Sequence, residues 1–560
     1  VQFALRKRNP FYFIAGTFVL LFLTMNLYFT SNPNIVNFPS SDPKYINVLA
    51  DLPIGTDITA TNEFMKVLEK DIFEVLEPNK QVVKSVLTTV GAGARLENEI
   101  NDLSEKMFRG LVTITFLEYE ERGDINTSDI LHDLSYHLLG KYPGVELTIE
   151  KQNEGPPAGK PINLEIIGRD FEKLLYLADS TLAYLNSAKI EGIEGLKLDL
   201  DIGKPEIIVN IDRDKARRFG LSTGQIASTI RTALFGKEIS SYKVMEDEYP
   251  IQLRLQDKYR YNLPALMNQM ITFRSQSTGK IVQVPISSVA DVTYSTTYGS
   301  VKRKDMERAI TIYSNVVEGY NATKINDQLK SLMQFYEMPP GYSYKFTGEQ
   351  EEQEESMAFL INALLIAISL ITVILVSQFN SIVKPAIIMF SVLFSTIGVF
   401  AGLLISGADF VVIMTGIGIV SLAGVVVNNA IVLIDYIDLL KNRRKKELGF
   451  NRDKVLSIQD TTECIVQAGK TRLRPVLLTA ITTILGLLPL AMGINIDFES
   501  FLVNFDANIY FGGDNVAFWG PISWTIIYGL SFATFLTLVI VPSMYYVLYL
   551  GKIKFFSGKD

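Results

Sequence analysis

The sequence predicts a membrane α-helical bundle of six transmembrane helices carrying a large extramembrane α+β region, which is itself interrupted by an inserted α/β subdomain. Three observations predict it. Six apolar runs, at about 11–29, 357–378, 382–406, 410–440, 472–494 and 516–550, are each long enough to cross a bilayer. Between the first and second lies a mixed-polarity stretch, 31–355, too long for a loop. Inside that stretch an alternating strand, an amphipathic helix and a second strand recur four times.

Composition agrees. The chain has 560 residues, 48% of them hydrophobic, and a mean hydropathy of +0.21. It is too long for one domain and too apolar for a wholly soluble protein. A net charge of −7 speaks against nucleic acid as a partner. Cys464 is the single cysteine, so no intrachain disulfide forms. Only two histidines accompany it, which leaves little for a zinc site. His132 and His137 lie five apart in a polar helical pattern and read as solvated surface residues.

The first run follows Arg6, Lys7 and Arg8, and could pass for a signal peptide. It is longer than a signal core and lacks a small-residue cleavage site, so it reads as a span within 1–30. The chain begins at Val1, which suggests part of something larger. The four repeats that follow suggest two split-βαβ subdomains. "GPPAGKP" at 155–161 reads as a hinge between them, and about 206–300 as an insertion in the second. The acidic run "GEQEEQEES", 348–356, reads as a solvated helical lead into the second span. Basic residues set the orientation. Lys384 follows the second span, Lys441, Arg443, Arg444, Lys470, Arg472 and Arg474 lie between the fourth and fifth, and Lys552 and Lys554 follow the sixth. With alternating spans all fall on one side, the cytoplasm, with both chain ends. The large region then lies outside, in the periplasm of a Gram-negative cell.

Two glycine groups stand out among the spans. Gly398 and Gly402 have a small-xxx-small spacing, and Gly416, Gly418 and Gly424 crowd the fourth span; both read as close helix packing. The fourth span also holds "GVVVNNAIVLIDYI", 424–437, which places Asn428, Asn429 and Asp435 in hydrocarbon. A polar side chain there must find a partner or lose free energy. Asn428 and Asp435 are two turns apart and share a face, with Asn429 beside it. The stripe either bonds helices together or forms part of a proton or ion relay. The fifth span opens with Arg472 and Arg474, and Thr479 lies roughly 10 Å deeper than Arg472 along the axis, at the depth of Asn428.

These stretches carry a resemblance. "GVVVNNAIVLIDYI" followed by "AGKTRLRPVLLTAITTILGLLPLA" resembles the resistance–nodulation–division (RND) transporters of the hydrophobe/amphiphile efflux branch, in the C-terminal half of the permease. "DLPIGT", "GPPAGKPINLEIIG", "NIDRDKARRFGLSTGQIASTIRTALFG" and "FTGEQEEQEES" support it, and it covers essentially the whole chain. The resemblance implies porter subdomains at about 44–155 and at 160–205 with 301–350. It implies a docking-type insert at 206–300, and five further spans over 357–550 with a cytoplasmic loop at 441–471. It also implies a homotrimer in the inner membrane, driven by the proton gradient with no cofactor. The expected partners are the N-terminal half of the permease, fused or separate, a periplasmic adaptor and an outer-membrane channel.

In drug-efflux members a lysine on this helix pairs with two aspartates of the other half. That lysine position matches Asn428 here, followed by Asn429, and Arg472 and Thr479 match relay positions on the next helix. Asp435 shares the stripe, although its family counterpart is not a recognised relay residue. Asn428 cannot act as a switchable cation. The region of the family's switch loop, 91–110, is charged and holds only Phe108 among aromatics, where drug pumps carry several; a substrate contact is expected there. Two other readings stand beside a proton-driven exporter. One is a non-transporting or differently coupled relative, which Asn428 favours. The other is a SecDF-like translocation motor, which the insert disfavours. No phosphate-binding loop, nucleophile elbow or metal cluster points to an enzyme.

Overall fold

In this computed structural model, residues 1–557 are described apart from 7, 32, 40, 97–105, 124, 153–158, 201–202, 275–278, 299, 318–319, 451–455, 497–500, 504 and 506–508. Helix α1 (Asn9–Thr30) starts with Pro10 in its first turn, where a missing N–H costs nothing. Strand β1 (Ile35–Val36) follows. Next, β2 (Tyr45–Asp51), α2 (Ile58–Leu76), β3 (Val83–Val90), β4 (Arg109–Phe116), α3 (Thr127–Leu138) and β5 (Glu146–Lys151) form one sheet with two helices. The strand order is β3-β4-β2-β5, with all neighbours antiparallel, the split-βαβ arrangement. Alternate residues Ile46, Val48 and Ala50 of β2 and Val112, Ile114 and Phe116 of β4 face one core. Helical rows Met65, Leu68, Ile72 and Ile130, Leu134, Leu138 fill it from the same face.

Asp57 and Asn126 cap the two helices by accepting from the N–H of Thr59 and Ser128, each contributing about 1 kcal/mol. Asp51 and Arg109 are cross-strand partners and form a two-pronged ion pair, at 2.5 and 3.0 Å, with the Arg109 side chain almost fully buried. In the same unit Asp71 of α2 accepts from Lys141 at 2.6 Å and from the Tyr142 hydroxyl. Those hydrogen bonds, that from Lys141 foremost, hold the Asp71 carboxyl below its ordinary range. Burial and the bond to Asp71 push the Tyr142 phenol up.

The second sheet repeats the plan. It uses β6 (Ile162–Gly168), α4 (Phe171–Ser187) and β7 (Lys197–Leu198). After an intervening unit it resumes with further strands and a helix. That intervening unit, Leu200–Val301, is compact in itself. It contains β8 (Lys204–Ile211), α5 (Arg213–Phe219), α6 (Thr223–Phe235), β9 (Lys237–Val244), β10 (Asp247–Leu253), short α7 (Asp257–Arg260) and α8 (Leu263–Met267), β11 (Met270–Arg274), β12 (Ile281–Pro285) and β13 (Ala290–Thr297). Ala216, Ile226, Ile271, Phe273, Val284 and Ile286 build its core. The sheet then continues with β14 (Arg303–Lys304), β15 (Glu307–Ser314), α9 (Ala322–Met333) and β16 (Tyr342–Phe346). β15 lies between β7 and β6, and β16 flanks β6, so the order matches the first sheet.

Five long helices complete the chain: α10 (Glu349–Phe379), α11 (Val383–Ser406), α12 (Val412–Glu447), α13 (Ile458–Met492) and α14 (Asp514–Ser557). With α1 they are, among the described residues, the six helices long and apolar enough to span a membrane. β17 (Phe410–Val411) leads into α12 and pairs in parallel with β1, while β18 (Ile494–Ile496) and β19 (Ile509–Phe511) form a hairpin between α13 and α14. α11, α12 and α14 form the buried centre, and α10 is exposed along most of its length. Glycine permits this centre. A Cβ at Gly402 would meet the Tyr528 ring at 2.2 Å, one at Gly398 the Cβ of Phe532 at 2.5 Å, and one at Gly418 Thr525 at 2.9 Å. Gly424 differs, with nothing within 4 Å.

Two intervals depart from expectation. The connection expected over 441–471 is helical at both ends, since α12 runs to Glu447 and α13 starts at Ile458. Its Lys and Arg residues favour helix, Gly449 ends the first helix at φ +65°, and Ser457 caps the next by accepting from the Asp460 N–H. The acidic run is not merely solvated. Glu351 pairs with Lys304 at 3.5 Å and with Lys345, and Glu354 pairs with Lys330 at 3.0 Å, so the first turns of α10 are tied to the second sheet and α9.

Candidate functional site: the polar face of α12

On α12 Ser421, Gly424, Asn428 and Asp435 are all exposed, between the exposed apolar residues Ile417 and Leu439. Helical spacing of three, four and seven residues puts them on one stripe. Asp435 has no hydrogen-bond or ion-pair partner among the described residues, and neither does Asn428. Asn429 is turned inward and is buried. Its side-chain oxygen accepts from the Thr479 hydroxyl at 3.4 Å, which joins α12 to α13. Thr479 also lies 3.0 Å from the carbonyl of Val476 in its own helix.

Arg472 forms no ion pair with a carboxylate among the described residues. Its guanidinium lies over the Tyr436 ring, 4.4 Å from the centroid. Such stacking contributes about 0.5–2 kcal/mol and satisfies no N–H donor; Arg472 Nε is buried with no partner among the described residues. The structure thus joins Asn429 to Thr479 and Arg472 to the residue after Asp435. It leaves Asn428 and Asp435 on the open face.

One half-buried cluster escaped the sequence reading. Near the basic end of the bundle Lys384 of α11 pairs with Asp438 of α12 at 2.6 Å. Tyr545 of α14 donates to Asp438 at 2.7 Å, and Lys441 donates to Tyr545 at 3.1 Å while lying over the Tyr549 ring. Asp438 falls three residues after Asp435, so a helical turn separates the open carboxylate from the enclosed one. The signal was available: Lys384 stands at the tight turn between two spans, where a cation needs an anion at matching depth.

Elsewhere, Phe108 is buried just before β4, where its carbonyl accepts from Leu52 N. Much of the 91–110 stretch around it, residues 97–105, lies outside the described residues, as do 155–158 of the hinge. His132 and His137 are both exposed on α3. No group of three or more His, Cys, Asp or Glu suited to a metal occurs among the described residues.

Six membrane-length helices, two split-βαβ sheets between the first and second, and a polar face on α12 give the architecture of a membrane permease. Residues 1–549 match the model of the AcrB/AcrD/AcrF family, and the chain belongs to that family of RND permeases. The swarming motility protein SwrC of Bacillus subtilis is 31% identical over 341 residues, 60% of this chain and 28% of that one. The multidrug resistance protein MdtC of Erwinia tasmaniensis is 24% identical over 349 residues, 62% of this chain and 30% of that one. A crystal structure of a heavy metal efflux pump superposes with a TM-score of 0.72 at 20% identity, covering 97% of this chain and 50% of that one. The chain thus spans about half of that pump's length.

Proposed function

We propose that the chain acts as the C-terminal half of a proton-driven efflux permease that exports amphiphilic compounds from the periplasm or the inner membrane of a Gram-negative cell. The observation that carries this is the open stripe of α12. Asn428 and Asp435 are exposed in the middle of a membrane helix, where lipid contact costs several kcal/mol. A protein partner with complementary polar groups accounts for them, and the N-terminal half of the permease supplies it, fused or as a separate chain. Asn428, Asn429, Arg472, Thr479 and Asp435 then form this half's share of the coupling site. Carboxylates of the other half would meet amides in place of a lysine.

In this reading 44–155 and 160–205 with 301–350 are porter subdomains, 206–300 docks to partners, and the region near Phe108 contacts substrate. Both chain ends face the cytoplasm. The working unit is a homotrimer with a periplasmic adaptor and an outer-membrane channel. Efflux from vesicles containing the complete permease tests it, with an amphiphilic dye and a divalent heavy-metal ion as alternative substrates. Asn428→Leu is expected to cripple proton-coupled dye efflux without abolishing assembly. Wild-type rates for both Asn428→Leu and Asn429→Leu from about pH 6 to 8, the range over which perturbed carboxylates titrate, would reduce the amides to helix packing. Export of the metal ion and not the dye would overturn the substrate class.

A further inference from the structure

Among the described residues of the connection between α13 and α14, two paired strands turn an apolar side outward. In the β18–β19 hairpin, Ile494 pairs with Phe511 and Ile496 with Ile509. Cross-strand partners share a face, so these four residues form one uniformly apolar surface, exposed at 36, 60, 44 and 59%. The other face carries Asn495, whose amide donates to the carbonyls of Gly493 at 3.1 Å and Gly512 at 2.7 Å. Between the two strands in sequence, Phe501, Leu502, Val503 and Phe505 are exposed at 46, 75, 71 and 89%. A hairpin in water would turn its apolar face inward and its polar face out; this one does the reverse.

Its base is fixed. Gly512 and Gly513, at φ +100° and +93°, pass under Tyr119, and a Cβ at Gly512 would lie 2.4 Å from the Tyr119 hydroxyl. Tyr119 belongs to the α/β region just after β4, so the hairpin lies where that region meets the membrane helices. It begins two residues after α13 ends and closes three residues before α14 begins. The only two tryptophans of the chain, Trp519 and Trp524, lie in the first turns of α14, and Trp519 is exposed. Tryptophan is enriched at the headgroup level of bilayers.

We infer that residues 494–496, 501–503, 505 and 509–511 form an interfacial anchor that dips into the bilayer on the side of the α/β region. The occupant of the apolar face is phospholipid, at the boundary of headgroups and acyl chains. The eight apolar side chains offer no hydrogen-bonding group. A protein interface carries about one hydrogen bond per 100–200 Å², whereas acyl chains ask for none. The anchor rests on the membrane helices and stands whether or not the transport reading does.

The test uses the complete permease in phosphatidylethanolamine/phosphatidylglycerol vesicles. On a Cys464→Ser background, nitroxide labels are placed at Leu502→Cys, Val503→Cys and Phe511→Cys, with Tyr136→Cys, an exposed position on α3, as the aqueous reference. Collision rates with oxygen and with a water-soluble nickel chelate are measured by power-saturation EPR. The oxygen-to-nickel ratio is expected to be several-fold higher at 502, 503 and 511 than at 136. A ratio equal to that at 136 would place the element in water and overturn the anchor. Low accessibility to both reagents would mean that the other half of the permease or a second copy covers the face, which overturns it equally. The Phe511 label keeps the test decisive if labelling perturbs the tip.

Discussion

Lys384 and Asp438 form a 2.6 Å ion pair between α11 and α12, with about a quarter of each side chain exposed. Tyr545 completes the carboxylate's shell from α14, so three helices meet at one charge. Removing one partner of a fully buried pair costs about 3–5 kcal/mol, and partial exposure lowers this to about 1–2 kcal/mol here. Lys384→Met is therefore expected to lower the melting temperature of the detergent-solubilised protein. Lys384→Met with Asp438→Asn should recover part of the loss, because no charge is then left unpaired. Independent, additive losses in that double-mutant cycle would show that the pair is not coupled.

Gly402 sets the spacing of α11 and α14. Gly402→Ala is expected to cost about 1–3 kcal/mol through overpacking against Tyr528. Gly16→Ala on α1, where nothing lies within 4 Å, should be neutral or gain up to about 1 kcal/mol in helix propensity. Thermal unfolding of the two variants side by side decides it, and equal effects would contradict the close approach.

Asp71 gives the first sheet an acid limit. Its carboxyl titrates lower when folded than unfolded, chiefly because Lys141 and Tyr142 donate to it. The resulting stability is fully present above the unfolded carboxylate pKa and is lost as pH falls through the folded one. Glu118, paired with Lys44 at 2.6 Å, is lowered in the same way. Acid titration followed by hydrogen exchange in β2 and β4 should show protection fading below about pH 4, the ordinary carboxylate range. Asp71→Asn should flatten that decline, and an unchanged profile would remove Asp71 from it.

Glu165 of β6 is buried, and Lys304 donates to it at 3.0 Å. Lys304 also reaches Glu351, so it ties the sheet to the start of α10. Lys304→Met leaves a buried carboxylate without that donor, at about 1–3 kcal/mol. Faster amide exchange is expected in β6 and in the first two turns of α10, but not in α3. Exchange changes confined to β6 would dissolve the link.

The six spans were legible because length and hydropathy suffice to identify a membrane helix. The strand–helix–strand repeats were legible because periods of two and 3.6 alternate cleanly, as in Ile46–Val48–Ala50 against Met65–Leu68–Ile72. Asn428 and Asp435 could be put on one face by counting alone. What counting could not give was depth of enclosure, which depends on neighbouring helices; hence Asn429 inward, Asn428 outward, and Asp438 missed one turn beyond. Arg472 over Tyr436 was equally hidden, since stacking depends on two rotamers rather than on spacing. The helical extension of α12 and α13 into the basic connection reflects helix propensity, which hydropathy does not register.

The unit Leu200–Val301 leaves and re-enters the second sheet at a single clasp. Asp199 and Lys302, the residues on either side of it, are ion-paired at 3.2 Å, and Asp199 exchanges backbone and side-chain hydrogen bonds with Thr311 of β15. β7 and β14, which bracket the clasp, both pair with β15. The sheet is thus complete without anything that lies between them. In engineering terms the unit is a cassette: joining Asp199 to Lys302 through a short turn leaves every strand of the sheet its neighbours, and another folded module with adjacent termini can be carried in its place.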